Sequence, residues 1–322
     1  MAAHRVLVTR RWPKQVEQAL RDKFDVVLNE TDRALSPAQL AQAMGEFDVL
    51  CPTVSDRIDS AVITGGDRVK LIANYGVGFD HIDLAAAKSR GIAVTNTPGV
   101  LSDATADIAL TLMLMAARRA GEGERELRAG RWSGWRPTHL VGSALKGKTL
   151  GLVGMGRIAI ATARRAHHGF GMKIAYFARR PCDPAVVEEL AARFFPQLTD
   201  LLGAADFVSL HVPGGAETAN LIDAAAIATM KPGSYLINTA RGGIVDHEAL
   251  AAALRSGQLA GAGLDVYPSE PQVPKALLEC ETAILLPHLG SANSETRIAM
   301  GMKALANIEA FANGGTLPDH VA

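Results

Sequence analysis

Three residues in this sequence have the types and settings to do chemistry together. Each follows a short apolar run: Arg241 in Asn238-Thr239-Ala240-Arg241-Gly242-Gly243, Glu270 in Gly263-Leu264-Asp265-Val266-Tyr267-Pro268-Ser269-Glu270-Pro271, and His288 in Pro287-His288-Leu289-Gly290-Ser291. A carboxylate hydrogen-bonded to one imidazole nitrogen orients the ring and favours its protonated form, which makes a general acid near neutral pH. A guanidinium set among small residues can clamp a carboxylate and polarise an adjacent carbonyl. Residue pattern alone leaves two other fates open, a surface salt bridge for Arg241 and a satisfied structural role for His288.

A second constellation could hold an anionic cofactor. The run Thr149 to Val153 leads into Gly154-Met155-Gly156-Arg157-Ile158-Ala159 and then a helical stretch. That order matches a dinucleotide fingerprint: the glycines let backbone approach a pyrophosphate, and the helix start offers free amides and a positive dipole end. Alone, the motif also fits an ordinary tight strand-to-helix turn. The next strand ends in Tyr176-Phe177-Ala178-Arg179-Arg180, with no carboxylate for a ribose 2′-hydroxyl. Two guanidiniums can grip a 2′-phosphate instead, so NADPH is the expected cofactor, with NADH as the other possibility and a solvated basic turn as the bland alternative.

These residues need elements that bring them to one place. Short β-rich runs alternate with Ala/Leu-rich helical stretches, the pattern of α/β proteins with parallel sheets covered on both faces. Strands are predicted at His4–Thr9, Phe24–Asn29, Phe47–Pro52, Val69–Asn74 and Ile92–Asn96. Six more follow at Thr149–Val153, Lys173–Phe177, Phe207–Val212, Tyr235–Thr239, Gly261–Val266 and Ala283–Pro287. An apolar helix about Asp103–Arg119 and a turn-rich connector, Gly130–Pro137, separate the two series, and a last helix of about Ser291–Asn313 is expected to pack on the first. Doubly wound sheets bind ligands beyond the carboxyl ends of their strands, so all the chemistry-bearing residues above crowd one sheet edge.

Composition excludes other classes. At 322 residues, with 48% hydrophobic and 20% charged residues, the chain suits two globular domains. Lys+Arg and Asp+Glu both number 33, so no overall field draws the chain to nucleic acid or to an anionic membrane. Cys51, Cys182 and Cys280 are widely spaced and read as free thiols of a reducing cytoplasm. The apolar run Ile108–Ala117 is too short to span a bilayer, and no signal peptide is expected. His167-His168 read as helix-end residues, and no metal site is expected.

The four motifs Gly154–Ile158, Asn238–Asp246, Gly263–Pro271 and Pro287–Ser291, in this order, resemble the D-isomer-specific 2-hydroxyacid dehydrogenase family over nearly the whole chain. The run Asn74-Tyr75-Gly76-Val77-Gly78-Phe79-Asp80, with Trp132, Trp135 and the arginines after Phe177, looks like the glyoxylate/hydroxypyruvate reductase branch. The resemblance implies two Rossmann-like doubly wound domains with the active site in the cleft between them. Residues 1–99 and 291–322 would form a flavodoxin-like substrate domain, and 100–290 a cofactor domain. It implies a small 2-oxo acid as substrate, its carboxylate held by backbone amides at Val77 and Gly78 together with Arg241, and Glu270 supporting His288.

For the cofactor, the resemblance implies Asp265 at the nicotinamide amide, with Thr105, Val212, Pro213, Thr239, Ala240, His288 and Gly290 lining the site beside the Gly154–Ile158 turn. A homodimer is implied, with Trp135 of the connector as the candidate intruder that helps bind substrate across the dimer interface, an ordinary buried tryptophan being the alternative. Hydride from NADPH would reach C2 of the 2-oxo acid while His288 gives the carbonyl oxygen a proton and Arg241 stabilises the oxyanion. Ala159 in the third glycine position is tolerated. Rival readings are an NAD-linked dehydrogenase for another 2-oxo acid, and a nucleotide-sensing, corepressor-like binding protein; the intact Arg241, Glu270 and His288 favour an enzyme.

Overall fold

The computed structural model describes residues 4–322. The chain divides into two compact units, one of residues up to 101 together with 292–322, the other of Ser102–Ser291.

In the first unit, β1 (Arg5–Val8), β2 (Asp25–Leu28), β3 (Val49–Cys51), β4 (Leu71–Ala73) and β5 (Ala93–Thr95) form a parallel sheet in the order β2-β1-β3-β4-β5. Central strands of such a sheet are covered on both faces, which is why β3 and β4 are wholly apolar and wholly buried. Helices start where sequence chemistry allows: at Pro37, Ser36 and Gln39 form a reciprocal capping box and Pro occupies the first turn. The helix Ser294–Ala312 returns to this unit and packs on Lys14–Arg21, where Gly301 lets Val16 approach; a Cβ there would lie 2.6 Å from a Val16 methyl. The chain end pairs antiparallel with β5 through Val321 N–H to Val94 O at 2.8 Å and Val94 N–H to Ala322 O at 2.7 Å.

The second unit holds a seven-stranded parallel sheet, β12-β11-β10-β9-β6-β7-β8. Its strands are β6 (Thr149–Val153), β7 (Lys173–Phe177), β8 (Arg193–Phe195), β9 (Phe207–Leu210), β10 (Ser234–Asn238), β11 (Leu259–Leu264) and β12 (Ala283–Leu285). Six strands were expected here, and β8 is the addition. With three residues at an edge, graded from exposed Arg193 to buried Phe195, it is too short to carry a periodic signal, and only pairing with β7 defines it. Strand order reverses between β6 and β9, the switch point where doubly wound sheets leave a crevice for ligands.

The helix Ser102–Ala117 is apolar nearly all round because it is packed on several sides, against β10, β11 and the helix Arg157–Arg164. Phe207 and Tyr235, paired in register on β9 and β10, stack at 4.6 Å under one sheet face. Among the described residues no helix is long and apolar enough to cross a membrane. Gly263 on β11 lies under this helix, and a Cβ there would stand 2.7 Å from Leu112 Cβ and 3.1 Å from Ile237 Cδ1. Gly263→Ala should therefore lower unfolding stability by about 1–3 kcal/mol through overpacking. Chemical denaturation would check this, an unchanged midpoint contradicting the tight contact.

Candidate active site

Arg241, Glu270 and His288 follow β10, β11 and β12, three adjacent strands, so parallel pairing brings them to one edge of the second unit's sheet. His288 Nδ1 lies 2.7 Å from Glu270 Oε2, and about a third of each side chain is exposed (32% and 33%). The other Glu270 oxygen, Oε1, accepts from the Tyr267 amide at 3.0 Å. Burial alone would raise the Glu270 carboxyl. The hydrogen bond and charge of His288, the Tyr267 amide and the charge of Arg241 outweigh it and hold the group below the usual glutamate range.

The histidine sits on a constrained backbone. His288 has φ +56°, a left-handed conformation unusual for a side chain with a Cβ. Asp265, 1% exposed, holds that turn with both carboxylate oxygens, which accept from Leu289 N–H at 2.6 Å and Gly290 N–H at 2.7 Å. Burial pushes the Asp265 carboxyl above its ordinary range, against the opposing pull of the two amides and of His288. From below, Thr105 Oγ1 donates to Gly290 O at 3.1 Å. Tyr267 spans the same region, its hydroxyl donating to Leu286 O at 2.9 Å. Asp265, Thr105 and Gly290, expected beside a cofactor, thus also build the support of His288.

Arg241 is aimed by Asn238, which ends β10 fully buried. Its Oδ1 accepts from Ala240 N–H at 3.0 Å and its Nδ2 donates to Arg241 O at 2.8 Å. The following Gly242 is pressed against the Tyr267–Pro268 backbone: a Cβ would lie 2.0 Å from the Tyr267 carbonyl carbon. Arg241 Nη1 donates to Ala240 O at 2.8 Å. Sequence reasoning passed over Asn238 and Tyr267. A polar residue closing the apolar run Tyr235-Leu236-Ile237 was the available signal for the first.

The glycine turn after β6 lies at the switch point. Gly154 has φ +94°, and a Cβ on it would stand 2.7 Å from His211 O, just before Val212 and Pro213. Gly156, the N-cap of the helix Arg157–Arg164, has open space where a Cβ would be, while Ala159 is fully buried on the sheet side. Thr239 Oγ1 is buried without a protein partner, and Met155, Ile158 and Ala240 are partly buried around the same edge. An open glycine at a helix start and an orphaned hydroxyl on the same edge fit a bound dinucleotide. Arg179 and Arg180 are both exposed, and Arg179 reaches Glu217 at 3.4 Å. Val77 and Gly78 belong to the first unit, in the turn after β4. Trp135 is not buried; 82% of it is exposed on the connector, with Trp132 at 52%. His167 Nδ1 pairs with Met172 O at 3.0 Å, a helix-end contact as expected.

A histidine paired with a glutamate within reach of the Arg241 charge, next to a glycine turn on the carboxyl edge of a doubly wound sheet, suits a nicotinamide-linked oxidoreductase. The sequence profile of the D-isomer specific 2-hydroxyacid dehydrogenase NAD-binding domain matches residues 110–290. A glyoxylate reductase of Thermococcus litoralis is 42% identical over 98% of this chain and 96% of its own length. An NADPH-dependent glyoxylate/hydroxypyruvate reductase of Sinorhizobium meliloti, solved with NADP and malonate, superposes with a TM-score of 0.88 at 36% identity, covering 100% of this chain and 97% of that one. The D-mandelate dehydrogenase of Rhodotorula graminis gives 0.90 at 34% identity, covering 100% and 98%. The chain belongs to the D-isomer-specific 2-hydroxyacid dehydrogenase family. Within it, the relatives put this enzyme in the glyoxylate reductase branch.

Because Glu270 ionises more readily in the fold than in the unfolded chain, its contribution to stability is present above the ordinary glutamate value of about 4.3 and is lost as pH falls through the lower folded value. Glu270→Gln should thus flatten the acid side of the stability profile. Thermal unfolding of both proteins between neutral pH and pH of about 3 measures this. Parallel acid limbs would show that the pair carries no such linkage.

Proposed function

We propose that this reductase of small 2-oxo acids takes glyoxylate or hydroxypyruvate, forming glycolate or D-glycerate, and prefers NADPH. The observation that carries the reading is the Glu270–His288 contact at 2.7 Å within reach of the Arg241 charge, on the strand-end edge that also holds the dinucleotide turn. The 41–42% identity to archaeal glyoxylate reductases supports glyoxylate, and the likeness to an NADPH-dependent homologue solved with NADP supports the cofactor.

Each residue then has a task. When bound, the reduced nicotinamide supplies the hydride for C2. Glu270 occupies His288 Nδ1, leaving Nε2 as the atom that carries the proton to the carbonyl oxygen. Arg241 pairs with the substrate carboxylate and stabilises the oxyanion. The amides of Val77 and Gly78 bind the carboxylate. The turn Gly154-Met155-Gly156-Arg157-Ile158 holds the pyrophosphate, while Thr105, Val212, Pro213, Thr239, Ala240, Asp265 and Gly290 line the cofactor. In this scheme 1–99 with 291–322 serves as substrate domain and 100–290 as cofactor domain.

NADPH preference rests on Arg179 and Arg180, which have solvent around them and no carboxylate in the ribose position. Glu217 opposes Arg179 across an exposed pair that contributes little by itself, so Arg180 is the better test. The exposed Trp135 suits a homodimer in which the connector meets a partner, and the free thiols suit a cytoplasmic enzyme.

Oxidation of NADPH and NADH with glyoxylate, hydroxypyruvate, pyruvate and phenylpyruvate should show greatest kcat/KM for NADPH with the first two. An NADH preference would reject the arginine argument. Arg180→Asp should weaken NADPH far more than NADH, and His288→Ala should cut kcat roughly 10²- to 10⁴-fold. Sedimentation should give twice the chain mass, and a monomer in solution would remove Trp135 from any partner's site.

A further inference from the structure

The turn after β4 is braced by uncharged side chains. Asn74, fully buried, places Nδ2 3.1 Å from Gly76 O and 2.9 Å from Gly78 O. Carbonyl oxygens only accept, so the NH₂ end of the carboxamide faces both of them. Its Oδ1 is then the atom 3.0 Å from His81 Nε2, which must carry hydrogen and donate. The carbonyl between those two is held from another side: Asn96 Nδ2 donates to Val77 O at 2.8 Å. Thr97 N–H adds a second bond to Gly76 O at 3.0 Å.

Three successive carbonyls, of Gly76, Val77 and Gly78, are thereby anchored by side-chain amides. In a planar trans peptide the N–H points opposite to the carbonyl of the same unit. The partners of these three carbonyls are the N–H groups of Val77, Gly78 and Phe79. Among the described residues none of the three donates to a protein acceptor. Successive free N–H groups form an anion-binding concavity, and donors on the carbonyl side polarise each peptide and strengthen its N–H.

We propose that Asn74 and Asn96 are positioning residues for the substrate carboxylate, anchoring the Gly76–Gly78 carbonyls so that the Val77, Gly78 and Phe79 amides form its cradle. His81 extends the arrangement by fixing the orientation of the Asn74 carboxamide. The inference rests on the reading of the protein as a 2-oxo acid reductase, but it makes a claim of its own about the backbone.

The test uses the full-length protein and oxamate, an unreactive analogue of a 2-oxo acid. In wild type bound to NADPH, oxamate should shift the ¹⁵N–¹H resonances of Val77, Gly78 and Phe79. Asn74→Ala and Asn96→Ala should each raise the oxamate Kd and the 2-oxo acid KM roughly 10- to 100-fold, with kcat less affected and NADPH affinity within about twofold of wild type. Asn96→Gln, which keeps a donating carboxamide, should recover most of the loss. If Asn74→Ala does not fold, Asn96→Ala decides. Unchanged oxamate affinity in a folded variant, or no response at the three amides, overturns the proposal even if wild type reduces 2-oxo acids. Oxamate binding with these amide shifts in a protein that reduces no 2-oxo acid would uphold the cradle and reject the functional reading instead.

Discussion

The two bonds that Asp265 accepts from the Leu289 and Gly290 amides are the contact on which the strand-end edge around His288 depends. A left-handed backbone at a residue with a Cβ costs about 1–2 kcal/mol and persists only where its surroundings over-determine it. At His288 the surroundings do so: a buried carboxylate grips the next two amides, and Thr105 holds the Gly290 carbonyl. Charge-assisted bonds to a carboxylate are short and strong, and these measure 2.6 and 2.7 Å. Held this way, the imidazole meets Glu270, and the Tyr267 amide on Oε1 keeps that carboxylate turned toward the ring.

Both units use buried asparagines where a strand gives way to a turn. Asn238 ties the Arg241 turn through Ala240 N–H and Arg241 O; Asn74 ties the Val77–Gly78 turn through two carbonyls. A carboxamide has both donors and an acceptor, carries no charge to desolvate, and can satisfy backbone groups that a loop would otherwise leave buried and unpaired. Each turn is then rigid before any ligand arrives, which limits the ordering cost of binding.

The strand-end residues and the arginines after β7 are held differently. Arg241, Glu270 and His288 are braced by buried partners, Asp265, Asn238 and Tyr267 among them. Arg179 and Arg180 lie exposed, with Glu217 as the counter-charge to the first. Exposed charges are weakly coupled to folding, so residues 179 and 180 can change with little effect on stability.

Much was legible in the sequence because the signals were local. β-rich runs of five or six residues marked eleven of the twelve strands, the glycines of Gly154-Met155-Gly156 marked a tight strand-to-helix turn, and the order of Arg241, Glu270 and His288 after successive strands put them on one edge. Parallel pairing makes that last inference possible, since every strand of such a sheet ends on the same side. What remained hidden was set by contacts between distant residues. The three-residue β8 exists only by pairing with β7, Gly242 is required by the Tyr267 backbone pressed against it, and the 82% exposure of Trp135 is a matter of which described residues lie around it. The direction in which the Val77 and Gly78 amides point was likewise decided by Asn74 and Asn96, residues whose partners are carbonyls that no sequence pattern can orient.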